Sequence, residues 1–594
     1  MKRLLGYMKA YRKESIIAPL FKMLEASFEL FVPLVVASMI DVGIRNRDVS
    51  YIIKMGGLLA LLAVIGIACS LTAQYFAAKA AIGTGTALRN DLFAHINRLS
   101  YSEIDTIGTS TLITRMTSDI NTVQNGVNMV LRLFLRSPFV VFGAMIMAFT
   151  VDFKGALVFA CAIPLLSTVV FGILLISMPL YKKVQRQLDK VTLSTRENLL
   201  GVRVIRAFNR QESERERFAG ENDLLVKLQV FVGKIAALLN PVTYVVINCA
   251  IVVLIWVGAK QVDAGILSQG KVVALVSYMS QILVELIKLA NLIILISKAM
   301  ASMNRVDSVF EIMPSITETA KTEAGMAPAA PALKETAQGS LAAGKSGAPK
   351  VCFDRVTFTY KGAKEPSLTD ISFSAMAGET IGIIGGTGSG KSTLVNLIPR
   401  FYDVTDGAVM IDGEDVRDRK LDNLRNTIGV VPQKAVLFKG SLRDNMKWGR
   451  EEASDEEIYM ALETAQAREF VEEKEKGLDL LVSQGGHNLS GGQRQRLTIA
   501  RALVRRPEIL IMDDSASALD FATDARLRQA IKRDTKNMTV FIVSQRAATI
   551  KNADKILVLD DGRLAGAGTH KELLESCQVY QEICLSQLSK EEVQ

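Results

Sequence analysis

The chain has 594 residues, 49% hydrophobic and 22% charged, and its 70 Lys and Arg against 61 Asp and Glu give a formal net charge of +9. With a mean hydropathy of +0.25, this composition excludes a wholly disordered, collagen-like or disulfide-scaffold protein and favours a membrane protein. The 6 Cys are far apart and the 3 His are scattered at His95, His487 and His570. Neither a disulfide framework nor a His-rich metal site is therefore expected.

Long apolar runs fill the first half of the chain. About 20 apolar residues are needed to cross the hydrocarbon core of a bilayer, and six runs are long enough. We predict transmembrane helices near residues 16–40, 55–80, 131–152, 155–180, 236–259 and 272–297. The basic start, MKRLLGYMKAYRK, lacks a small-residue cleavage site and is interpreted as an uncleaved cytoplasmic lead-in rather than a signal peptide.

The connections between these runs differ in length. Those after the second and fourth runs are long, polar and helix-patterned, whereas the others are short. The second long loop carries ten Lys and Arg between Lys182 and Arg217, and the positive-inside rule assigns such a loop to the cytoplasm. Both termini are then cytoplasmic, and the composition favours the plasma membrane of a bacterium. Because the basic residues follow membrane topology, no nucleic-acid partner is expected.

The composition changes after the last run. Residues 313–350 are rich in Ala, Pro, Gly, Thr and Lys and too poor in large apolar side chains to form a core, which predicts a flexible linker. It would join a six-helix transmembrane domain with long cytoplasmic coupling loops, at 1–312, to a soluble domain at 351–594. There, short β-branched runs alternate with amphipathic stretches, which predicts an α/β domain with a mainly parallel sheet.

A glycine-rich loop follows one of the predicted strands. The strand ETIGIIG leads into GTGSGKST and then into the apolar helical run LVNLI, which is the GxxxxGK[ST] phosphate loop in its expected setting. Backbone N–H groups of such a loop surround phosphates, Lys391 reaches the β/γ oxygens, and Ser392 offers a hydroxyl to Mg²⁺. The predicted nucleotide-binding residues here are Gly385, Thr387, Gly388, Ser389, Gly390, Lys391, Ser392 and Thr393.

Two further motifs complete a nucleoside triphosphatase. EILIMD is a buried strand ending in Asp513, the place expected for a carboxylate that holds Mg²⁺ through water. Between the phosphate loop and this strand, LSGGQRQR places Ser490 and two glycines before an amphipathic helix, which makes a second anion-binding helix N-terminus. Two such domains arranged head to tail would each clamp the other's nucleotide.

LSGGQRQR together with the phosphate loop resembles the nucleotide-binding domain of ABC transporters. Six spans with two long cytoplasmic loops before that domain resemble the exporter branch of the family, and the similarity covers nearly the whole chain apart from 313–350. One set of each domain implies a half-transporter that hydrolyses ATP with Mg²⁺. The resemblance implies that four signature residues contact the partner's ATP: Ser490, Gly491, Gly492 and Gln493.

The resemblance also implies roles for single residues. Tyr360 in VTFTYKG resembles the aromatic residue that stacks on adenine, and Gln433 in GVVPQKAVLF resembles the glutamine that ligands Mg²⁺ and senses the γ-phosphate. The metal site would then comprise Ser392, Gln433 and Asp513. SALD, ending at Asp520, matches the D-loop, and ENLLGVRVIRAFNRQ and RLSYSEIDTIGTSTLITRMTSDI resemble the two coupling regions of the membrane domain.

The sequence departs from the family at two catalytic positions. After Asp513 the family has the Glu that acts as general base, and here stands Asp514, shorter by one methylene; a misplacement of about 1 Å can cost on the order of 100-fold in rate. In VFIVSQRAA, Gln545 stands where the family has a His that contacts the γ-phosphate. Tolerated changes in a slow homodimeric enzyme are one interpretation. Because both changes fall in one site, we favour a degenerate site that binds ATP and hydrolyses it poorly, in an obligate heterodimer with a second, non-identical half-transporter.

Charged residues within the spans are candidates for substrate contacts because burying them in lipid is expensive. Lys22, Glu25 and Glu29 share a face of the first span, and Glu285 and Lys288 share a face of the last. They could line a cavity for cationic amphiphiles or pair between helices, and the pattern slightly favours pairing.

Drug-like or lipid-like amphiphiles are the expected substrates, while export of a peptide or specific lipid, or a regulatory channel-like subunit, stays open. Six spans exclude a soluble ABC-type ATPase acting on DNA or ribosomes.

Overall fold

The computed structural model describes residues 2–317, 348–515, 519–534 and 537–587. The chain divides into two compact units, Met1–Asn97 with Thr109–Ile312, and Arg98–Gly108 with Met313–Gln594. Most of the predicted linker at 313–350 lies outside the described residues, as do Ser517 and Ala518 of the D-loop motif.

The first unit consists of long apolar helices. Six are long and apolar enough to cross a membrane: Arg3–Ile44, Val49–Arg98, Thr109–Val151, Phe153–Leu200, Gln211–Asp263 and Gln269–Phe310. These helices contain all six predicted runs, except that residue 152 of the third run lies one position beyond its helix, and they confirm the six-helix membrane domain. Each has 42 to 53 residues, far more than the roughly 20 that a bilayer requires. The polar stretches of the two long loops continue the second to fifth of these helices.

The apolar surface of these helices faces outward. In the most apolar window of each helix, between 6% and 39% of the residues are buried, whereas a helix of a soluble domain turns its apolar side chains inward. Small residues such as Ala144, Ala148 and Ala156 are fully buried where the helices meet, and small side chains allow close packing of membrane helices. The unit is therefore built to be surrounded by lipid.

The described residues of the second unit contain twelve short strands. In chain order they are Val351–Phe358 (β1), Leu368–Ala375 (β2), Thr380–Gly385 (β3), Asp406–Ile411 (β4), Glu414–Asp415 (β5), Ile428–Val431 (β6), Gly440–Ser441 (β7), Leu481–Val482 (β8), Ile509–Asp513 (β9), Thr539–Val543 (β10), Lys555–Asp560 (β11) and Arg563–Gly568 (β12). Six form one sheet in the order β12-β11-β3-β10-β9-β6, and four form another in the order β2-β1-β4-β5. The strands β7 and β8 pair separately.

The larger sheet is parallel except at one edge. β3 pairs in parallel with both β10 and β11, β9 pairs in parallel with β10 and β6, and β12 pairs antiparallel with β11. The β9 and β10 residues are buried throughout, as expected for strands covered on both faces. The predicted mainly parallel sheet is confirmed for these six strands, but the domain is mixed, because the predicted strands VCFDRVTFTY and AVMIDG lie in the separate antiparallel sheet.

Short helices connect and cover the strands of the second unit. They are Tyr101–Ile107, Lys391–Leu397, Leu421–Asn426, Leu442–Lys447, Asp455–Thr464, Arg468–Glu472, Gly491–Val504, Phe521–Asp534, Ala547–Ile550, His570–Ser576 and Gln578–Gln587. The helix Lys391–Leu397 follows β3 directly, so the phosphate loop lies at the carboxyl end of the parallel strands. Ligands of open α/β sheets bind at that edge.

Candidate functional site

The phosphate loop has a backbone that requires glycine. Gly388 and Gly390 have φ of +88° and +92°, in the left-handed region that other residues rarely adopt. A Cβ on Gly390 would lie 2.8 Å from the carbonyl oxygen of Ser367. The loop therefore passes close to the backbone before β2, and a side chain at Gly390 would displace it.

Lys391 is held against this loop. Its side chain is 8% exposed, and its Nζ donates to the carbonyl oxygens of Gly385, at 3.0 Å, and Gly386, at 2.6 Å. Burial lowers the pKa of Lys391 below the usual lysine range. A buried amine whose hydrogen-bond acceptors are uncharged fits an anionic ligand such as a phosphate.

A hydroxyl and a carboxylate meet beside the loop. Ser392 Oγ donates to Asp513 Oδ1 at 2.9 Å, which joins the phosphate-loop helix to the end of β9. Burial first, and then the nearby Asp514 carboxylate, raise the pKa of Asp513 above the usual aspartate range. Two oxygen ligands of this kind suit Mg²⁺, a hard cation that stabilises a buried carboxylate in its charged form.

Asp514 follows β9 in an unusual backbone conformation. Its φ is +43°, a region in which aspartate is several-fold enriched among non-glycine residues, and its N–H donates to the Val543 carbonyl at 3.0 Å. Gln433 Nε2 donates to Asp514 Oδ2 at 3.4 Å. Burial raises the pKa of Asp514, while the Gln433 hydrogen bond acts in the opposite direction.

These side chains surround one cleft of about 350 Å³. Its lining is Tyr360, Ser367, Thr387, Gly388, Gly390, Lys391, Ser392, Thr393, Gln433, Asp514 and Gln545. Most residues predicted from the sequence for this nucleotide site are thus brought together. Gly385, Ser389 and Asp513 are not part of the lining, and the latter two are buried. Ser367 was missed by the sequence analysis, because nothing in the sequence around it signals a ligand.

The signature residues lie apart from this lining. Ser490 caps the helix Gly491–Val504: its Oγ accepts from the Gln493 N–H at 3.2 Å, and Gln493 Oε1 accepts from the Ser490 N–H at 3.0 Å. Such a capping box fixes the first turn of a helix. Ser490 and Gly491 are exposed and Gly492 is half-buried, so the helix N-terminus is open to a ligand that this cleft does not supply.

Comparison with known families identifies both units. Residues 15–286 match the model of the ABC transporter transmembrane region, and residues 368–517 match the model named ABC transporter. The uncharacterised ABC transporter ATP-binding protein YfiB of Bacillus subtilis is 36% identical over 591 residues, which cover 100% of this chain and 99% of that protein. The chain belongs to the ABC transporter family. It is an ATP-hydrolysing membrane transporter.

Other ABC transporters are similar to this chain over most of its length. An ATP-dependent lipid A-core flippase of Desulfotalea psychrophila is 34% identical over 494 residues, 83% of this chain and 82% of the flippase. A solved structure of a bacterial Atm1-family ABC exporter with ATP bound superposes with a TM-score of 0.78 at 24% identity, covering 98% of this chain and 99% of the exporter chain. The fold is therefore that of an ABC exporter.

The charged residues in the transporter's spans form ion pairs. Lys22 contacts Glu25 at 2.5 Å, and Lys288 contacts Glu285 at 2.8 Å, as the sequence spacing allowed. Arg136, which the sequence analysis missed, contacts both Glu29, at 2.6 Å, and Glu285, at 2.5 Å. It joins the first, third and last helices, and the signal that could have found it is an arginine inside an apolar run.

Proposed function

We propose that this chain is one half of a heterodimeric ATP-driven exporter with two unequal ATP sites. Its own phosphate-loop cleft would hold ATP and hydrolyse it poorly, and its signature helix would complete the active site of a non-identical partner. One observation carries the proposal: Asp514 and Gln545, the two departures from the family, line the same cleft as Lys391. Two changes in the same cleft can act together on hydrolysis, whereas substitutions that are merely tolerated need not lie close to each other.

The binding residues fit an ATP–Mg²⁺ complex. Lys391 would hold the β- and γ-phosphates, Ser392, Gln433 and Asp513 would supply the metal's protein-side partners, and Tyr360 would stack on the adenine. When bound, Mg²⁺ neutralises charge on the phosphate oxygens. Glycine backbone N–H groups surround the phosphates without adding charge, so the groups that bind the nucleotide do not depend on Asp514.

The residues at the two proposed hydrolytic positions, Asp514 and Gln545, are less suited to ATP hydrolysis than the family's Glu and His. A general base must lie within hydrogen-bond reach of the attacking water, and the Asp514 carboxylate is one methylene closer to the backbone than the family's glutamate. Its raised pKa further lowers the fraction of ionised base at a given pH. Gln545 cannot exchange a proton with a phosphate oxygen as an imidazole can. We propose that hydrolysis therefore proceeds mainly in the partner's site, against this chain's Ser490 and the glycines after it.

Two surfaces of the chain suit an exporter dimer. In the membrane unit, the second loop helix (Val202–Ala207) and its flanks expose large apolar side chains, with Leu200 82% and Phe208 73% exposed. In the other unit, a groove of about 390 Å³ has Phe438 stacked on Trp448, with ring centroids 4.5 Å apart, beside Arg501. We propose that the partner's second loop helix enters this groove and that the second loop helix of this chain enters the corresponding groove of the partner.

The transport cycle follows from these contacts. ATP binding would bring the two nucleotide domains together, each signature helix closing over the other chain's phosphates. The loop helices would pass this closure to twelve spans in the dimer, and the cavity between them would change from inward- to outward-facing. We place both termini and the nucleotide-binding domain in the bacterial cytoplasm, because of the basic second loop.

We propose amphiphilic, drug-like compounds as substrates. A lipid is the second candidate, favoured by the 34% identity to a lipid A-core flippase. The charged residues in the spans are paired with each other, which supports helix pairing over a cationic binding site. Proteoliposomes loaded with a fluorescent cationic dye or containing a labelled phospholipid separate the two: ATP-dependent movement of the dye alone supports the first candidate, and of the lipid alone the second.

The heterodimer is tested by assembly. The chain is co-expressed with each candidate half-transporter of its own organism, extracted in detergent and weighed by native mass spectrometry. A dimer of two different masses supports the proposal. A stable homodimer that forms equally well with the partner present would favour the homodimeric exporter with slow hydrolysis.

A further inference from the structure

An aromatic cluster links the nucleotide cleft to the segment that follows the phosphate-loop helix. Tyr360 lies in the cleft lining, with its phenol oxygen 3.0 Å from Thr393 Oγ1. Tyr402 is an edge-to-face partner of this ring, at a centroid distance of 5.3 Å and an interplanar angle of 83°. Phe358 contacts both rings, at 4.8 Å and 5.6 Å. Such contacts fix ring orientation as well as distance.

Tyr402 also contacts the first loop helix (Tyr101–Ile107), which belongs to the same compact unit. Its phenol donates to Asp105 Oδ2 at 2.8 Å. The neighbouring Phe401 packs on Tyr101, with ring centroids 4.7 Å apart. Burial, followed by the Asp105 carboxylate, raises the pKa of Tyr402 well above its usual range, so the phenol remains a donor at any physiological pH.

The first loop helix and its N-cap also form hydrogen bonds with the segment that follows the sixth span in the sequence. Glu103 is 2% exposed, and its Oε2 accepts from the Ser100 N–H at 3.1 Å and from Ser315 Oγ at 3.3 Å. Ser100 Oγ accepts from the Ile316 N–H at 3.1 Å. The helix thus has one set of contacts with Phe401 and Tyr402 and, through Ser100 and Glu103, another with residues 315 and 316.

We propose that Tyr402 and Asp105 are positioning residues that couple nucleotide occupancy of this cleft to the first loop helix. The inference rests on the proposed function, in which adenine stacks on Tyr360. Adenine on one face of Tyr360 fixes that ring, its edge contact fixes Tyr402, and the Tyr402 phenol then holds Asp105. This connection runs from the base of the nucleotide, whereas Gln433 contacts Asp514 at the phosphate side.

Such coupling is reciprocal. If nucleotide binding protects the first loop helix by some factor, docking of that helix must raise nucleotide affinity by the same factor. A solvent-exposed hydrogen bond of ordinary strength, such as that from Tyr402 to Asp105, corresponds to about 2- to 10-fold in an equilibrium constant. Loss of the Tyr402 hydroxyl should therefore reduce both effects by a factor of that size.

The test is hydrogen exchange of backbone amides 101–107 in the assembled transporter in lipid nanodiscs. Exchange is measured without nucleotide and with a non-hydrolysable ATP analogue plus Mg²⁺, whose affinity is measured on the same samples. Tyr402→Phe keeps the ring and removes the hydroxyl. Tyr101→Phe makes the same chemical change on the loop helix itself and is the matched control. Asp105→Asn keeps an acceptor oxygen and should behave closer to wild type than Asp105→Ala.

We expect the analogue to slow exchange in the wild type and in Tyr101→Phe, and to slow it about 2- to 10-fold less in Tyr402→Phe and Asp105→Ala, with a matching loss of analogue affinity. Equal slowing in Tyr402→Phe and the wild type would overturn the inference. Faster exchange by the same factor with and without nucleotide would also overturn it, because it would show a purely structural contact. Failure of the wild type to bind the analogue in this cleft would instead overturn the proposed function together with the inference.

Discussion

In the function we propose, the phosphate-loop cleft and the signature helix carry two complementary halves of an ABC ATP site, and they depart from the family's residues to different degrees. The phosphate-loop site keeps Lys391, Ser392 and Asp513 but has Asp514 and Gln545 at the two positions where the resemblance implies a catalytic Glu and His. The signature helix keeps its whole motif, with Ser490 in a complete capping box. One region has thus changed where the other has not.

This difference separates binding from hydrolysis. In the function we propose, the groups kept in the cleft bind phosphate and metal, whereas the two replaced groups occupy the positions that act on the attacking water and the γ-phosphate. Nucleotide affinity can then persist while the rate falls, since only interactions made in the transition state accelerate the reaction. We propose that the intact signature helix serves a site whose hydrolytic residues come from another chain.

The largest effect is expected from an acid at the signature helix. Gly491→Asp places a negative charge where we propose the partner's phosphates lie, and a Cβ at Gly491 meets open space, so the fold should tolerate it. The steady-state ATPase rate of the heterodimer should fall on the order of 100-fold. Gly386→Asp in the phosphate loop is the matched control, because a Cβ there also meets open space, and it should lower the rate far less. Equal losses would contradict the proposal that the two ATP sites of the dimer hydrolyse at different rates.

Restoring the family's residues at positions 514 and 545 should increase the rate of ATP hydrolysis in this chain's own cleft. In a heterodimer whose partner site is blocked by Gly491→Asp, the remaining hydrolysis reports on this chain's own cleft. Asp514→Glu combined with Gln545→His should raise that rate by up to about 100-fold, because the carboxylate then reaches the attacking water. Single-turnover ATP hydrolysis measures it, and Asp514→Asn with Gln545→His is the control. No gain in the double variant would count against a degenerate site.

Removing the buried lysine should weaken binding in the cleft. Lys391→Met deletes charge-assisted hydrogen bonds to phosphate, which corresponds to about 10- to 100-fold in affinity for ATP at this site. Lys434→Met, at an exposed lysine beside Gln433, is the control and should leave affinity unchanged. Equilibrium binding of a fluorescent ATP analogue provides the measurement. Unchanged affinity in Lys391→Met would mean that the cleft does not hold the phosphates.

Acidification should have the smallest effect. Burial raises the pKa of Asp513, so this carboxylate takes up its proton at a higher pH than an ordinary aspartate, and a protonated carboxyl is a poor partner for Mg²⁺. Mg²⁺-dependent affinity for the analogue should be full above that raised pKa and decline below it, by less than about tenfold for each pH unit. The decline should be absent in Asp513→Asn. An equal decline of affinity in Asp513→Asn would mean that a group other than the Asp513 carboxyl causes the pH dependence.

The sequence was sufficient to predict the elements whose signal is local. Six apolar runs located the six long helices, because a bilayer demands a minimum apolar length, but their ends lie beyond the runs in the polar stretches. GTGSGKST after a β-branched run placed the phosphate loop at the end of β3, and its residues line one cleft with Asp514 and Gln545. Their roles in binding and hydrolysis stay predictions.

The features that sequence reasoning missed depend on distant contacts. β1 and β4 resemble strands of a parallel sheet in composition, and their antiparallel pairing is set by partners far along the chain. Arg136 contacts glutamates 107 and 149 positions away. Tyr402 and Asp105 are 297 positions apart, and no periodicity or motif connects them. Pairings of this kind follow from packing, which a single sequence does not reveal.

The most direct test of two unequal sites is the ATPase rate and the bound nucleotide of the purified chain, alone and with its partner. We predict that the chain alone is nearly inert, that the pair is active, and that one ATP in each pair stays unhydrolysed during turnover. Normal turnover by the chain alone as a homodimer, with no retained ATP, would contradict the account and would mean that Asp514 and Gln545 form two equivalent working sites.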